Sequence, residues 1–171
     1  MTDIIVADAG PLIGLARIDR LSLLKSLYGT IVVSEPILSE LCATSDRPGS
    51  GALSASLAEG VIQARALAQG REMELVRLCL LLDAGEASAI LLAEQIQCRF
   101  LMIDERRGRE IARRRGIPVV GLAGVLLAAK GSGLLKSVAP VLADLARQGY
   151  RLSDALVPEV LRLADEPGSD G

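Results

Sequence analysis

The sequence predicts an α/β fold, a three-layer α/β/α sandwich around a mainly parallel central sheet, on three observations. Short apolar runs alternate with longer stretches of helical periodicity, the pattern of parallel strands joined by covering helices. The runs ending at Ala7 and Ile103 are apolar on successive residues, as strands buried on both faces require. The 171 residues, 50% hydrophobic and 23% charged, amount to one globular domain with ample material for a core.

In chain order, residues 4–7 read as the first strand, closed by Asp8. Helical patterns follow over residues 11–17 and 21–28, and Gly29 stops the second. Residues 30–33 form the second strand, and Pro36 lies in the first turn of a helix reaching Cys42. The stretch ATSDRPGSG, residues 43–51, is the clearest loop. Residues 61–66 supply a further strand, residues 72–82 and 84–96 two helices, residues 99–103 a buried strand and residues 106–115 a basic helix. Residues 117–120 are the last strand. From Leu122 the pattern is helical to Ala164, broken at residues 131–133 and near Gly149. A single domain is therefore expected over residues 1–165, with a polar C-terminal tail over residues 166–171.

Composition removes whole classes of chemistry. The chain has no histidine, which excludes Ser-His-Asp and Cys-His nucleophiles, the HExxH metalloprotease pattern and most catalytic zinc sites. A metal held by oxygen ligands alone would be a hard ion, Mg2+ or Mn2+. Cys42, Cys79 and Cys98 are odd in number, widely spaced and set among apolar residues, which predicts reduced, buried thiols. The longest uncharged stretch, residues 116–129, is shorter than the roughly 20 apolar residues that cross a bilayer, so no membrane association is expected. Asp3 and Asp8 interrupt the apolar start and no basic leader precedes it, so a secretory signal is not expected and a cytoplasmic location is.

Four acids stand out by position. Asp8 and Asp104 each follow a strand, and in a parallel sheet both emerge at the carboxyl edge, where α/β folds place their sites. Glu86 shares a helix face with Ala89, Ile90 and Ala93, an apolar face that is a costly place for a charge. Glu40 lies one turn into the helix after the second strand and can lean to the same edge. Each also has a plain structural role. Asp8 and Asp104 suit N-caps, Asp83 and Glu86 have the spacing of a capping box, and Glu40 alone suits a solvated helix. As a set in a chain without histidine, they form a repelling cluster whose cost a metal ion offsets. No DxD pair accompanies Asp8, as a receiver-like phosphotransfer domain would require, and no G-x-G-x-x-G follows a strand.

The blocks IVADAGPLIGLARI, VVSEPILSEL, LDAGEASAILLA and FLMIDERRGREIARRRGIPVVG, in that order, resemble a PIN domain. The D-x-x-P-L-I opening, G-E-A-x-A-I and I-D-x-R-x-x-R blocks are similar to those of the VapC toxin branch, and the resemblance runs from about residue 4 to 163. It implies an α/β/α sandwich and a metal-dependent endoribonuclease, with Asp8, Glu40, Glu86 and Asp104 matching the first to fourth catalytic acids. Asp8, Glu86 and Asp104 would hold Mg2+ or Mn2+ for hydrolysis of an RNA phosphodiester. A homodimer and a small antitoxin partner are implied as well. Where many PIN domains carry Ser or Thr two residues after the first acid, this chain has Gly10, and Glu105 and Arg106 follow the fourth acid. The alternative expectation is a catalytically silent PIN-like module that binds nucleic acid or protein.

Residues 106–115 hold six arginines against one acid, in a chain of formal net charge −2. Arg106, Arg109 and Arg113 recur at i, i+3 and i+7 and are predicted to line one helix face that meets RNA phosphates. The simpler role is a solvated helix whose last arginines favour the negative dipole end. With two Tyr, one Phe and no Trp, base stacking cannot dominate binding.

Overall fold

The computed structural model describes residues 3–43 and 45–168. Strands β1 (Ile5–Ala7), β2 (Ile31–Ser34), β3 (Ile62–Arg65), β4 (Phe100–Met102) and β5 (Val119–Val120) form one sheet in the order β3-β2-β1-β4-β5. Every adjacent pair is parallel. The connecting helices are α1 (Ala9–Arg17), α2 (Ser22–Tyr28), α3 (Glu35–Cys42), α4 (Ser50–Ala58), α5 (Glu72–Cys79), α6 (Ala84–Gln95), α7 (Arg106–Arg114), α8 (Leu122–Gly131), α9 (Ala139–Arg147) and α10 (Leu156–Leu163). The result is the expected α/β/α sandwich.

The strand order fixes where a site belongs. From β1 the chain moves outward to β2 and β3, then returns past β1 to β4 and β5. The reversal of direction at β1 opens a switch point between β1 and β4. Those strands pair Ile5 with Phe100, Val6 with Leu101 and Ala7 with Met102. The Asp8 N–H continues the ladder to the Met102 carbonyl at 2.9 Å. Asp8 and Asp104 thus leave the sheet side by side.

Helix α6 seals one face. Residues 85–93 are all buried, because the helix packs on β1, β2 and β4 while α3, α5 and α7 cover its outer sides. Its small residues let it sit close to the sheet, and the Ser88 hydroxyl bonds both the Gly85 carbonyl at 2.8 Å and the Ser34 hydroxyl at 2.7 Å. That buried pair ties the end of β2 to the first turn of α6.

Four departures from the sequence reading have physical causes. Helix α4 starts inside the expected loop; its Ser, Gly and Ala residues bury only Leu53 and give no apolar periodicity. Helix α5 ends at Cys79 and not at Leu82, because Asp83 must adopt an extended backbone to cap α6. Cys98 is buried, whereas Cys42 and Cys79 are exposed, each at the end of a helix. Glu166, placed in the polar tail, is anchored: its carboxylate accepts from Lys130 at 2.7 Å, from the Ser137 hydroxyl at 2.6 Å and from the backbone of Val138 and Ala139 at 2.6 and 2.9 Å. Helix α9 has no side-chain cap of its own, and Glu166 supplies one from the far end of the chain. Residues 169–171 of the expected tail lie outside the described residues.

Candidate active site

Asp8 occupies the N-cap position of α1 with extended backbone, yet its side chain makes no capping hydrogen bond. Burial pushes its carboxyl up to about 7; the Ala9 backbone N–H works against this, and repulsion from Glu86, Asp83 and Glu40 adds to it. With no capping bond the side chain is not committed to the start of α1. Asp8 is instead a strand-end carboxyl facing other acids.

Those acids arrive from the start of α6 and the last turn of α3. Asp83 and Glu86 form a full capping box, with the Glu86 N–H donating to Asp83 Oδ1 at 2.8 Å and the Asp83 N–H to Glu86 Oε2 at 3.3 Å. Glu86 is only 8% exposed, and burial followed by repulsion from Asp83, Glu105 and Glu40 raises its pKa. Glu40 is exposed at the rim, and desolvation and then Asp83 raise its pKa. Gly85 makes this gathering possible: a Cβ there would stand 3.2 Å from Asp83 Oδ1 and 3.3 Å from Glu40 Oε2. The two carboxylates therefore crowd over the first turn of α6, near the positive end of the helix dipole. An open cleft of about 360 Å³ runs along this edge, lined by Leu80, Leu81, Asp83, Glu86, Glu105 and Arg107 among others.

Asp104 is held differently. Its Oδ1 accepts from the Leu122 N–H at 3.0 Å and its Oδ2 accepts from the Tyr150 hydroxyl. It fastens the start of α8 to the end of β4, while the side-chain cap of α7 comes from Glu105, which accepts from the Gly108 N–H at 2.8 Å. The Tyr150 hydroxyl is driven well above its ordinary range by burial and then by Asp104, with a further contribution from Asp8. The hydroxyl therefore stays protonated on Asp104.

Of the acids read from the sequence, Asp8, Glu40 and Glu86 lie within mutual electrostatic reach, and Asp104 joins the edge through Tyr150. Sequence reasoning missed Asp83 as a contributor of charge, although its place in DAGE was visible, and missed Glu105 on Glu86. Nothing local pointed to Tyr150, 46 residues beyond Asp104. Among the described residues, no three acidic or cysteine side chains converge into a ready-made metal cluster.

The predicted arginine stripe divides. Arg106 and Arg113 are exposed, but Arg109 is half-buried and donates from Nη1 to the Ile103 carbonyl at 2.8 Å. Arg114 pairs with Glu110 on the outer surface at 2.5 Å. Arg115 joins Arg71, Glu74 and Glu94 in an ion-pair network that links α5, α6 and α7.

A family model for PIN domains, DUF3368, matches residues 4–166. The chain belongs to the PIN-domain family. Among solved structures it is similar to a PilT N-terminus domain protein from the hyperthermophilic archaeon Sulfolobus solfataricus P2, at 16% identity, covering 74% of this chain and 92% of that one with a TM-score of 0.52. At that identity the likeness shows the fold. No curated protein matches the sequence.

PIN domains are commonly nucleases that use divalent metals, and the donors of this PIN domain fit such an ion. All are carboxylate oxygens, the class a hard cation takes. Burial first and then the neighbouring acids raise Asp8 to about 7, and a cation at this edge would offset that mutual repulsion. Mg2+ keeps several waters and is commonly bound by one or two carboxylates, so a tight three-acid cluster is not a requirement. Among the described residues no helix is long and apolar enough to cross a membrane.

Proposed function

We propose that this PIN domain is a Mg2+- or Mn2+-dependent endoribonuclease of the VapC toxin-antitoxin type. The observation that supports it above all is the position of Asp8, a strand-end carboxyl with no capping bond, raised first by burial and then by Glu86, Asp83 and Glu40. In this reading Asp8, Glu86 and Asp104 hold the ion, and Glu40 acts from the rim. When bound, the ion supplies Lewis-acid polarisation of the phosphoryl group and lowers the pKa of the attacking water. Asp8 and Asp104 are oriented by two neighbouring strand ends, which fixes their separation better than a loop would. Glu86 is fixed by its capping box. Arg106 and Arg113 approach the RNA backbone from the rim, where exposure leaves them open to phosphates. Exposed Met73, Val76 and Leu80, on and just beyond α5, give this edge an apolar shoulder. That surface suits the protein contacts of a homodimer restrained by a small antitoxin, acting in the cytoplasm.

Cleavage of single-stranded RNA by the purified protein tests the reading: activity with Mg2+ or Mn2+ and none in EDTA is expected. Cleavage unchanged in chelator would overturn it. One observation favours a second reading, a catalytically silent binding module. Position 10 offers no hydroxyl beside Asp8, since only Asp8 Oδ2 comes within 4 Å of a Cβ built on Gly10. RNA binding without turnover in either metal would favour that alternative.

A further inference from the structure

Tyr150 reaches the candidate site from the opposite end of the chain. Helix α9 ends at Arg147, Gly149 takes a left-handed φ of 82°, and the Tyr150 N–H returns to the Leu145 carbonyl at 2.9 Å. This turn swings the ring away from α9 and onto α1. There Gly14 makes room for it: a Cβ on Gly14 would stand 2.8 Å from Tyr150 Cδ2 and 3.1 Å from Cε2, closer than side chains tolerate. The ring lies against that glycine and its hydroxyl donates to Asp104 Oδ2.

We propose that Tyr150 is a positioning residue of the metal site, holding the Asp104 carboxylate in one orientation at the end of β4. The inference rests on the metal-dependent reading above and adds to it a residue that neither the motifs nor the family match marks.

Three features support a dedicated role. A carboxylate at a strand end rotates freely about its last bond unless both oxygens are bound, and here Leu122 N–H takes Oδ1 while Tyr150 takes Oδ2. Each carboxylate oxygen has two lone-pair directions, so one hydrogen bond per oxygen leaves acceptor capacity for a cation. The ring also has a seat of its own on α1, where Gly14 leaves the space that a Cβ would fill 2.8 Å from Tyr150 Cδ2. Partners of this kind fix ligand orientation, and their loss typically lowers metal affinity about 10- to 100-fold.

The test is a Mn2+ titration followed by EPR, with Mn2+ alone as the probe, on the full chain and on Tyr150→Phe, Gly14→Ala and the double variant. Tyr150→Phe keeps the ring and should keep the thermal transition within a few degrees while weakening Mn2+ binding about 10-fold. Gly14→Ala should weaken it too by displacing the ring, and the double variant should lose little beyond Tyr150→Phe, since both act through one contact. A purely structural tyrosine would lower Tm and leave Mn2+ affinity unchanged. Equal affinity in the parent and in Tyr150→Phe would overturn the inference and leave the metal reading standing. Tighter binding in Tyr150→Phe would overturn it as well, since the hydroxyl would then be competing with the ion for Asp104. A parent that binds no Mn2+ would remove the metal reading and this inference together. If Gly14→Ala does not fold, Tyr150→Phe alone decides.

Discussion

Arg109 reaches back from α7 to the end of β4, its Nη1 donating to the Ile103 carbonyl at 2.8 Å, so its guanidinium lies beside the residue that precedes Asp104. Burial and the neighbouring Arg113 lower its pKa, and Asp104 works the other way. A side chain so placed secures a strand end, whereas Arg106 and Arg113 stand exposed on the same helix.

The three arginines should therefore separate in a salt titration of RNA binding. Replacing Arg106 and Arg113 by Ala should weaken binding across sequences and reduce the salt slope by about one unit or less per lost contact. Arg109→Ala should instead lower thermal stability by about 1–2 kcal/mol, through a lost charge-assisted hydrogen bond to a backbone carbonyl. Coincident slopes for the parent and the Arg106/Arg113 double variant would return the exposed arginines to ordinary surface.

Asp8→Asn tests whether the strand-end acid serves chemistry at the expense of the fold. The side chain keeps its shape and loses a charge that burial and three acidic neighbours oppose. The apo protein should gain on the order of 1–3 kcal/mol at pH 8, since each unit of pKa shift corresponds to about 1.4 kcal/mol and partial solvation reduces the total. RNA cleavage should be lost. Thermal denaturation without metal, beside a cleavage assay, checks both parts. A variant much less stable than the parent would show that Asp8 holds the fold together.

Much of this site was legible because short-range rules wrote it. Strand β1 and Asp8, β4 and Asp104, and the DAGE start of α6 are each specified within about ten residues by apolar runs and capping spacing. Parallel pairing of the strands then brings their ends together. What could not be read depends on contacts between distant segments. Tyr150 and Asp104 are 46 residues apart and Glu166 and Lys130 are 36 apart, and no local pattern announces either contact. Helix α4 failed for another reason: its small residues form a helix that buries little, so no periodicity betrays it. The inward turn of Arg109 was hidden because a helical stripe fixes which side chains share a face but not which one folds back toward the sheet.

Glu166 and Lys130 close the chain end onto α9, with Glu166 8% and Lys130 25% exposed at the side chain. Glu166→Ala removes the acceptor for two backbone N–H groups, a hydroxyl and an ammonium at once. It should destabilise the protein by about 2–3 kcal/mol, equivalent to roughly 4–12 °C in Tm for a domain of this size. Cleavage at temperatures well below the transition should be unaffected, because the clasp does not touch the acidic edge. A calorimetric Tm equal to that of the parent would show that the clasp does not contribute.

The pH dependence of stability follows from these two regions acting with opposite signs. Asp8 has a folded-state pKa of about 7 against an ordinary 3.8, so between those values the folded state keeps a proton that the unfolded chain has released. Its contribution is full below about 3.8 and is lost as pH rises through 7, and Glu40 and Glu86, also raised, act in the same sense. Glu166 is lowered from 4.5 to about 2: burial opposes the shift, and Lys130, Ser137 and the two backbone N–H groups overcome it. Its stabilisation is full above 4.5 and disappears as pH falls toward 2. The metal-free protein should therefore be most stable near pH 4 and lose stability as pH rises toward 7, by up to about 1.4 kcal/mol per pH unit for each group titrating. Urea denaturation in EDTA at intervals from pH 3 to 9 measures this profile directly. In Asp8→Asn the decline between pH 4 and 7 should shrink, and in Glu166→Ala the acid limb should flatten. Adding Mn2+ should restore stability chiefly above pH 7, where Asp8 is ionised and free to hold it. A parent profile that rises from pH 4 to pH 7 in EDTA would contradict the crowded acidic edge from which the proposed metal site is argued.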